Sequence, residues 1–304
     1  MSLIVTGTLG IDTIETPQGG AKRVPGGSAA YFAAAGSIQT PVRLVGAVGD
    51  DWPVEHRSLL ESFQGVDLAG LEQRAGSRTF AWGGKYLDNM NIRETTFTEL
   101  GVLEEAPPNV PDSFRDSTFV FLANSHPSVQ SAFLDQLPER QLTVMDTMDL
   151  WINIANEELH ALLARIDGVM INDSEAELLT GITNPYSAGE KILDLGPGFV
   201  IIKKGEHGAV LVHRDGTAVI PAYPADDAQV VDPTGAGDSF AGGLMAYVAR
   251  TGSHDFEALH AALAWGTVTA SYTLESFGLD GLKGLTESRL MERVELLRAA
   301  ARIG

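Results

Sequence analysis

The chain has 304 residues, of which 44% are hydrophobic, and its 21 Lys and Arg against 40 Asp and Glu give a net charge of −19. This balance argues against nucleic acid or an anionic membrane surface as a main partner, because both are negatively charged. The absence of cysteine excludes disulfides, thiolate metal sites and a cysteine nucleophile. No apolar run approaches the roughly 20 residues that span a bilayer, and no signal-peptide pattern is present, so we expect a cytoplasmic protein.

Short apolar runs alternate with helical patterns along most of the chain. The runs that predict buried strands cover residues 3–6, 42–48, 118–122, 142–146, 168–171, 199–203 and 209–213. Helices are predicted over residues 28–37, 52–63, 129–137, 156–165, 174–180, 187–195, 239–251, 256–271 and 287–301. This alternation is typical of an α/β fold with a parallel sheet covered on both faces, where ligands bind beyond the carboxyl ends of the strands.

Two polar stretches, residues 12–24 and 78–102, break the alternation. The second holds Phe80, Trp82 and Tyr86 among many threonines, and it predicts extended antiparallel strands. No repeat or low-complexity linker divides the chain. We therefore expect one domain over residues 1–304 that carries these stretches as an insert.

The most informative stretch is V-V-D-P-T-G-A-G-D-S-F-A-G-G, residues 230–243. It predicts a strand end at residues 230–232, a glycine turn and the first turn of a helix. Gly235 and Gly237 permit backbone conformations closed to other residues, and unpaired amides at a helix N-terminus bind anions. Asp238 stands among these amides as a general base for a hydroxyl or as an N-cap. The paired glycines favour the base, because a plain cap needs none.

Four motifs together resemble the signature set of the PfkB (ribokinase-like) family of carbohydrate kinases. Besides the stretch around Asp238 they are Gly26-Gly27-Ser28-Ala29-Ala30, Asn172-Asp173-Ser174-Glu175 and Lys204-Gly205-Glu206-His207-Gly208. The resemblance implies a ribokinase-like three-layer sandwich with a mostly parallel central sheet, in which residues 12–24 and 78–102 form a small β lid. It also implies that ATP, with Mg²⁺, phosphorylates a hydroxyl of a small sugar or sugar-like polyol.

The resemblance assigns a role to each motif. Asp238 is the implied catalytic base, and the amides of Gly235, Ala236 and Gly237 hold the transferring phosphoryl group. Asn172 and Glu175 are implied to bind Mg²⁺ through water, and Asp232 and Thr234 to bind K⁺. The implied acceptor-binding residues are Asp12, Gly26, Gly27 and Tyr31. The implied nucleotide-binding residues are Lys204, Gly205, Gly208, Gly235, Gly237, Gly266, Thr267 and Ala270.

Most of these roles have a purely structural alternative. Asn172 and Glu175 are also typical of a helix capping arrangement, and Asp12 of a solvated turn. The small residues around Gly266 are also typical of tight helix packing. The adjacent Lys203 and Lys204 point to opposite faces of a strand, so either one of them reaches the nucleotide phosphates or both are solvated.

One departure from the family bears on the acceptor. Ribose-binding members often carry asparagine where this chain has Tyr31. Because tyrosine offers one hydroxyl and an apolar ring in place of an amide, we expect an acceptor larger than ribose, such as a nucleoside or a cyclitol, unless Tyr31 points into the core. A nucleoside kinase is the alternative function, and a nonenzymatic sensor is a weaker one. We also expect the lid to pair two subunits, because a small sheet leaves edges that need cover.

Overall fold

The computed structural model describes residues 2–226 and 229–301. Its strands are β1 (Leu3–Thr6), β2 (Gly10–Thr16), β3 (Gly19–Gly26), β4 (Val42–Gly49), β5 (Val66–Arg74), β6 (Phe80–Tyr86), β7 (Arg93–Glu99), β8 (Phe119–Leu122), β9 (Leu142–Asp146), β10 (Gly168–Asn172), β11 (Phe199–Lys203), β12 (Ala209–His213) and β13 (Gly216–Ile220). Its helices are α1 (Ser28–Gly36), α2 (Val54–Ser62), α3 (Pro127–Leu134), α4 (Asp149–Ile154), α5 (Asn156–Leu163), α6 (Asp173–Thr180), α7 (Pro185–Leu193), α8 (Ala236–Thr251), α9 (Phe256–Thr273) and α10 (Glu287–Ala300).

A nine-stranded sheet forms the centre of the molecule, in the order β13-β12-β11-β10-β9-β8-β1-β4-β5. Neighbouring strands from β5 to β11 run parallel, and β12 and β13 complete the sheet in antiparallel pairs. The carboxyl ends of β9, β10 and β11 therefore meet at one edge of the sheet. This arrangement confirms the predicted mostly parallel sheet.

Helices cover both faces of this sheet. In β1, Leu3 and Val5 pack in the core under α1, α2, α8, α9 and α10, whereas Ile4 points to the core under α3 to α7. Side chains alternate between the two cores because successive residues of a strand point to opposite faces. The predicted three-layer α/β sandwich is thereby confirmed.

Three elements escaped sequence prediction, and one predicted element is absent. β5 is an edge strand with many polar residues, β13 is short and half-exposed, and α4 is only six residues long. The predicted strand end at residues 230–232 is wrong, because this segment is irregular. The amides of Val231 and Asp232 donate to the carbonyl of Leu274 at the end of α9, not to a strand.

The remaining strands form a small sheet in the order β3-β2-β6-β7. The two polar stretches each fold into an antiparallel hairpin, as expected, and the hairpins span slightly different bounds from those predicted. The antiparallel strands predicted for residues 78–102 are thereby confirmed. The two hairpins join through β2 and β6, which run parallel. Within the described residues, no helix is long and apolar enough to cross a membrane.

Candidate active site

Three chemically distinct side chains lie at the carboxyl ends of the central strands. Asp146 ends β9, Asn172 ends β10 and Lys203 ends β11. The ammonium of Lys203 lies 3.1 Å from Oδ2 of Asp146, and the two side chains are only 17% and 8% exposed. The sequence prediction gave Asp146 no role and assigned nucleotide binding to Lys204, not to Lys203. The structure brings Lys203 into the cluster of carboxylates.

Glu175 adds a second carboxylate to this cluster from the first turn of α6. Its Oε2 accepts from the amide of Asn172 at 2.9 Å, and Oδ1 of Asn172 accepts from the amide of Glu175 at 2.8 Å, so the predicted capping alternative is present as a complete capping box. Burial first, and the charge of Asp146 second, raise the pKa of Glu175 to about 7. For Lys203, burial favours the neutral amine, but Asp146, Glu175 and Asp238 outweigh it and raise the pKa.

The glycine turn before α8 faces Lys203. Gly235 is left-handed, with φ of 74°, and a Cβ there would overlap the ring of Tyr31, so only glycine fits. Nζ of Lys203 lies 3.1 Å from the position that a Cβ on Gly237 would occupy. Among the described residues, the amides of Gly235 and Gly237 have no backbone acceptor, whereas the amide of Ala236 donates to the carbonyl of Pro233 at 3.2 Å. The predicted set of three free amides is thus reduced to Gly235 and Gly237.

Asp238 is the third residue of α8, and Gly235 holds the N-cap position without any side-chain capping bond. The alternative role of Asp238 as an N-cap is therefore wrong. Burial, followed by repulsion from Asp146, raises its pKa to about 7, while Lys203 and Arg93 act in the opposite direction. A carboxyl group with such a pKa is suited to take a proton near neutral pH.

Asp12 faces the same space from β2 and is 3% exposed. A Cβ on Gly26 would overlap its carboxylate, so β3 can pass beneath Asp12 only with glycine at this position. Burial, then the charges of Asp232 and Asp238, raise the pKa of Asp12 to about 8, and a hydrogen bond from the Gly27 amide partly offsets this. Its Oδ1 is buried and has no hydrogen-bond partner in the part of the chain that the structure describes, which excludes the solvated-turn alternative and leaves an acceptor for a ligand hydroxyl.

A second group of polar side chains is buried behind the turn. Oδ1 of Asp232 accepts from the amide of Thr234 at 2.8 Å, and the hydroxyl of Thr234 lies 3.1 Å from that of Tyr86. Burial raises the pKa of Asp232, whose Oδ2 has no partner among the described residues. Tyr31 is 1% exposed and its hydroxyl also lacks a partner there. The expected exposure of Tyr31 to an acceptor is thus corrected: its ring packs in the core behind Gly235.

Apart from Gly235 and Gly237, the predicted nucleotide-binding residues lie at the periphery of this cluster. Lys204, Gly205 and Gly208 form the turn between β11 and β12, in which the amide of Lys204 donates to the carbonyl of Gly208 at 2.8 Å. Gly266 lies in α9 against Phe240 of α8, with no room for a side chain, which agrees with the tight-packing alternative. Thr267 is 8% exposed and Ala270 is half-buried in the same helix. Contact of these residues with a nucleotide stays a prediction.

Arg93, at the start of β7, is a further charged residue that the sequence prediction did not assign. It is exposed, and its guanidinium lies 5.1 Å from the ring centre of Trp82. Its charge lowers the pKa of Asp12, Asp238 and Tyr86. Arg93 therefore lies near Asp238 at the start of α8 and also near Asp12 and Tyr86 on the small sheet. No sequence pattern marks it, because its position depends on how the two hairpins pair.

The family profile described as pfkB family carbohydrate kinase matches residues 5–282. The chain is 30% identical over 256 residues to a cytidine kinase of Thermococcus kodakarensis, covering 82% of this chain and 89% of the relative. It is 30% identical over 275 residues to an ATP-dependent ribose-1-phosphate kinase of Halopiger xanaduensis, covering 86% and 88%.

Solved structures share the fold. A nucleoside kinase of Methanocaldococcus jannaschii superposes with a TM-score of 0.78 at 22% identity, covering 97% of this chain and 99% of that one. A putative ribokinase II of E. coli, in complex with ATP and Mg²⁺, superposes with a TM-score of 0.77 at 19% identity, covering 97% and 100%. Family profile, relatives and fold agree: the chain belongs to the pfkB family of carbohydrate kinases, and it is a phosphotransferase that acts on a sugar or a nucleoside.

Proposed function

We propose that Asp238 is the catalytic base of an ATP-dependent kinase. The observation that carries the proposal is the carboxyl group of Asp238 in the first turn of α8, directly after the amides of Gly235 and Gly237 that have no backbone acceptor among the described residues. Burial raises the pKa of this group to about 7, which suits a base. The acceptor hydroxyl attacks the γ-phosphorus of ATP, its proton passes to Asp238, the bond from phosphorus to the bridging oxygen breaks, and ADP leaves. A sensor has no use for such a base, so the geometry favours an enzyme over the sensor alternative.

Lys203, with these two amides, would stabilise the negative charge of the transferring phosphoryl group. Its ammonium lies beside Gly237 and is largely shielded from water, where a charge interacts more strongly than at the surface. This assignment replaces the amide of Ala236, which already has an acceptor. Phosphoryl transfer depends mainly on positioning and charge stabilisation, and this set supplies both.

Asp146 and Glu175 fit a role in holding Mg²⁺ with the phosphates of ATP. Carboxylate oxygens are the ligands that Mg²⁺ prefers, and the shared charge of this pair is only partly offset by Lys203. In the described residues, no three acidic or histidine side chains converge to hold a metal on their own. Asn172 contributes indirectly, because its carboxamide holds Glu175 in the capping box. When bound, the ion would neutralise phosphate charge, and turnover is expected to stop in excess chelator.

The acceptor is proposed to be a ribose with a substituent on its anomeric carbon. The two relatives at 30% identity are named for cytidine and for ribose 1-phosphate, and both molecules share this plan. Asp12 would accept hydrogen bonds from the ring hydroxyls through its unpartnered oxygen. An ADP-release assay across ribose, ribose 1-phosphate, nucleosides and inositols tests this proposal, and release with free ribose as the best acceptor by tenfold or more would reject it.

Two further assignments are proposals about the same site and its surroundings. Asp232 and Thr234 would lie at a K⁺ site, supported by the unpartnered Oδ2 of Asp232, and a K⁺ titration of activity tests it. The small sheet would act as a lid on one kinase domain and pair two subunits, supported by Phe97 and Ile92, which are 39% and 53% exposed on and beside β7. Sedimentation as a monomer at micromolar concentration would reject the pairing.

A further inference from the structure

Arg93 is a cation without an ion-pair partner beside an acidic site. Residues 2–226 and 229–301 contain no carboxylate within ion-pairing distance of it. Asp12 and Asp238 are close enough to feel its charge, yet neither closes onto it. The donors of the guanidinium that do not contact the hydroxyl of Tyr86 are therefore available to a ligand.

Trp82 fixes the direction in which Arg93 points. The six-membered ring of Trp82 lies across Gly84, where no side chain intervenes, and its Nε1 lies 3.4 Å from the hydroxyl of Thr95. The guanidinium lies over the ring, 5.1 Å from its centre, a geometry that favours a cation on the ring face. The hydroxyl of Tyr86 borders the guanidinium as well. Trp82 thus presents a covered face, so its main contribution to the site is to hold a cation and not to stack on a nucleobase.

The space between Asp12 and Asp238, where the acceptor is proposed to bind, is acidic, and Arg93 is a cation beside it. Asp12 and Asp238 border that space, and each would repel a negatively charged acceptor when ionised. A neutral nucleoside needs no cation there, whereas a phosphorylated sugar needs one to offset these carboxylates. Planar guanidinium groups bind phosphate through two parallel hydrogen bonds, which makes arginine the residue suited to this task.

We propose that Arg93, held by Trp82, forms a phosphate-binding subsite for the acceptor, and that the acceptor is a phosphorylated pentose of the ribose 1-phosphate type. The proposal rests on the proposed kinase function and narrows its acceptor class. The product is then a pentose that carries two phosphates. This enzyme adds the second phosphate, and the reaction that supplies the substrate adds the first. Cytidine and other neutral nucleosides are then poorer acceptors than the sugar phosphate.

Two measurements on the full chain test the subsite. Steady-state kcat/KM is determined for ribose 1-phosphate and for cytidine with saturating ATP and Mg²⁺, in the wild type, Arg93→Met and Arg93→Lys. Calorimetry measures the binding of ribose 1-phosphate to the same proteins without ATP. Lys85→Met is the matched control, because Lys85 is an exposed cation on the neighbouring strand β6 and has no ion pair among the described residues.

Arg93→Met is expected to lower kcat/KM for ribose 1-phosphate about 10- to 100-fold, and to weaken its binding similarly, while changing the value for cytidine less than about threefold. Arg93→Lys should fall in between, because it keeps the charge and loses the paired hydrogen bonds. Equal losses of kcat/KM with both acceptors would place Arg93 on the transferring phosphoryl group and overturn the subsite. A wild type with a higher kcat/KM for cytidine than for ribose 1-phosphate would also overturn it.

The calorimetric binding measurement tests the phosphate-binding subsite separately from the kinase function. A wild type that transfers phosphate to no acceptor refutes the proposed kinase function, yet binding of ribose 1-phosphate that Arg93→Met weakens would still support the subsite. Binding that Arg93→Met leaves unchanged, or no binding at all, refutes the subsite whatever the activity. Equal melting temperatures of wild type and variants would show that the exposed start of β7 tolerates the change.

Discussion

The two halves of the site are built in contrasting ways. The half around Asp238 is formed where β9, β10 and β11 end against the first turn of α8, and its charged groups are largely buried. The half on the small sheet includes β7, in which every residue is exposed. Burial perturbs pKa values and fixes geometry, so the first half suits the chemical step. The second half is held mainly by strand pairing, which leaves the exposed side chains of β7 free to change with the acceptor.

The largest expected effect comes from removing the base in the buried half. Asp238→Asn keeps the size of the side chain and cannot take a proton, so kcat should fall by about 10²- to 10⁴-fold while ATP binding stays within a few fold. Single-turnover assays and ATP calorimetry measure the two quantities. Asp280→Asn, an exposed carboxylate outside the site, serves as the control. Near-normal turnover of Asp238→Asn would remove the catalytic role from this residue.

A smaller loss is expected from the cation that the buried half encloses. Lys203→Met leaves Asp146, Glu175 and Asp238 without their shared partner, so kcat at pH 7 should fall on the order of 10- to 100-fold and the activity profile should shift to higher pH. Lys204→Met, one residue further on, should cost less than about threefold. The opposite ranking would restore the assignment of Lys204 made from the sequence.

The two lysines show what sequence could and could not predict. Gly235, Gly237 and Asp238 are consecutive in the chain, so their local backbone rules indicated an anion site with a base. Asp146 and Lys203 end two separate strands, and only the register of the sheet brings them next to Glu175, which its own local motif had indicated. The need for glycine at Gly26 and the burial of Tyr31 depend on neighbours distant in the chain. Sequence therefore predicted the local motif and the fold, and missed the groups whose meeting is decided by tertiary packing.

The pH dependence separates stability from activity in the buried half. A carboxyl group whose pKa is raised on folding stabilises the fold when protonated, and this contribution is lost as pH rises toward its folded value. For Asp238, with a pKa of about 7, kcat/KM should rise on the order of tenfold from pH 6 to pH 8 as the base ionises.

Stability should move the other way over the same range. The Asp238→Asn variant never ionises, so its free energy of unfolding relative to wild type should increase on the order of 2 kcal/mol between pH 5 and pH 8. Urea unfolding of both proteins at the two pH values measures this difference. A constant difference would mean that Asp238 has an ordinary pKa.

The smallest expected effect lies at the junction between the small sheet and the main body. His56 of α2 is 6% exposed, and its Nε2 lies 2.9 Å from the carbonyl of Arg23. A carbonyl only accepts, so Nε2 carries the proton, and burial lowers the pKa of His56, which keeps the ring neutral at pH 7. Arg23 is the bulged residue of β3, with φ of 54°, opposite the point where the register of β2 shifts between Asp12 and Thr13.

This hydrogen bond ties the bulge to the body and thereby holds Asp12 above Gly26. His56→Phe keeps a ring against Trp52 but loses the donor, a loss on the order of 1 kcal/mol, so the KM of the acceptor should rise about 3- to 10-fold. The KM of ATP and kcat should stay within about twofold, because the buried half is not connected to this bond. His56→Gln, which retains a donor of similar reach, should recover most of the acceptor affinity. A parallel rise in both KM values, or no recovery with glutamine, would show that His56 supports only the general packing of α2 and that the two halves of the site are not independently held.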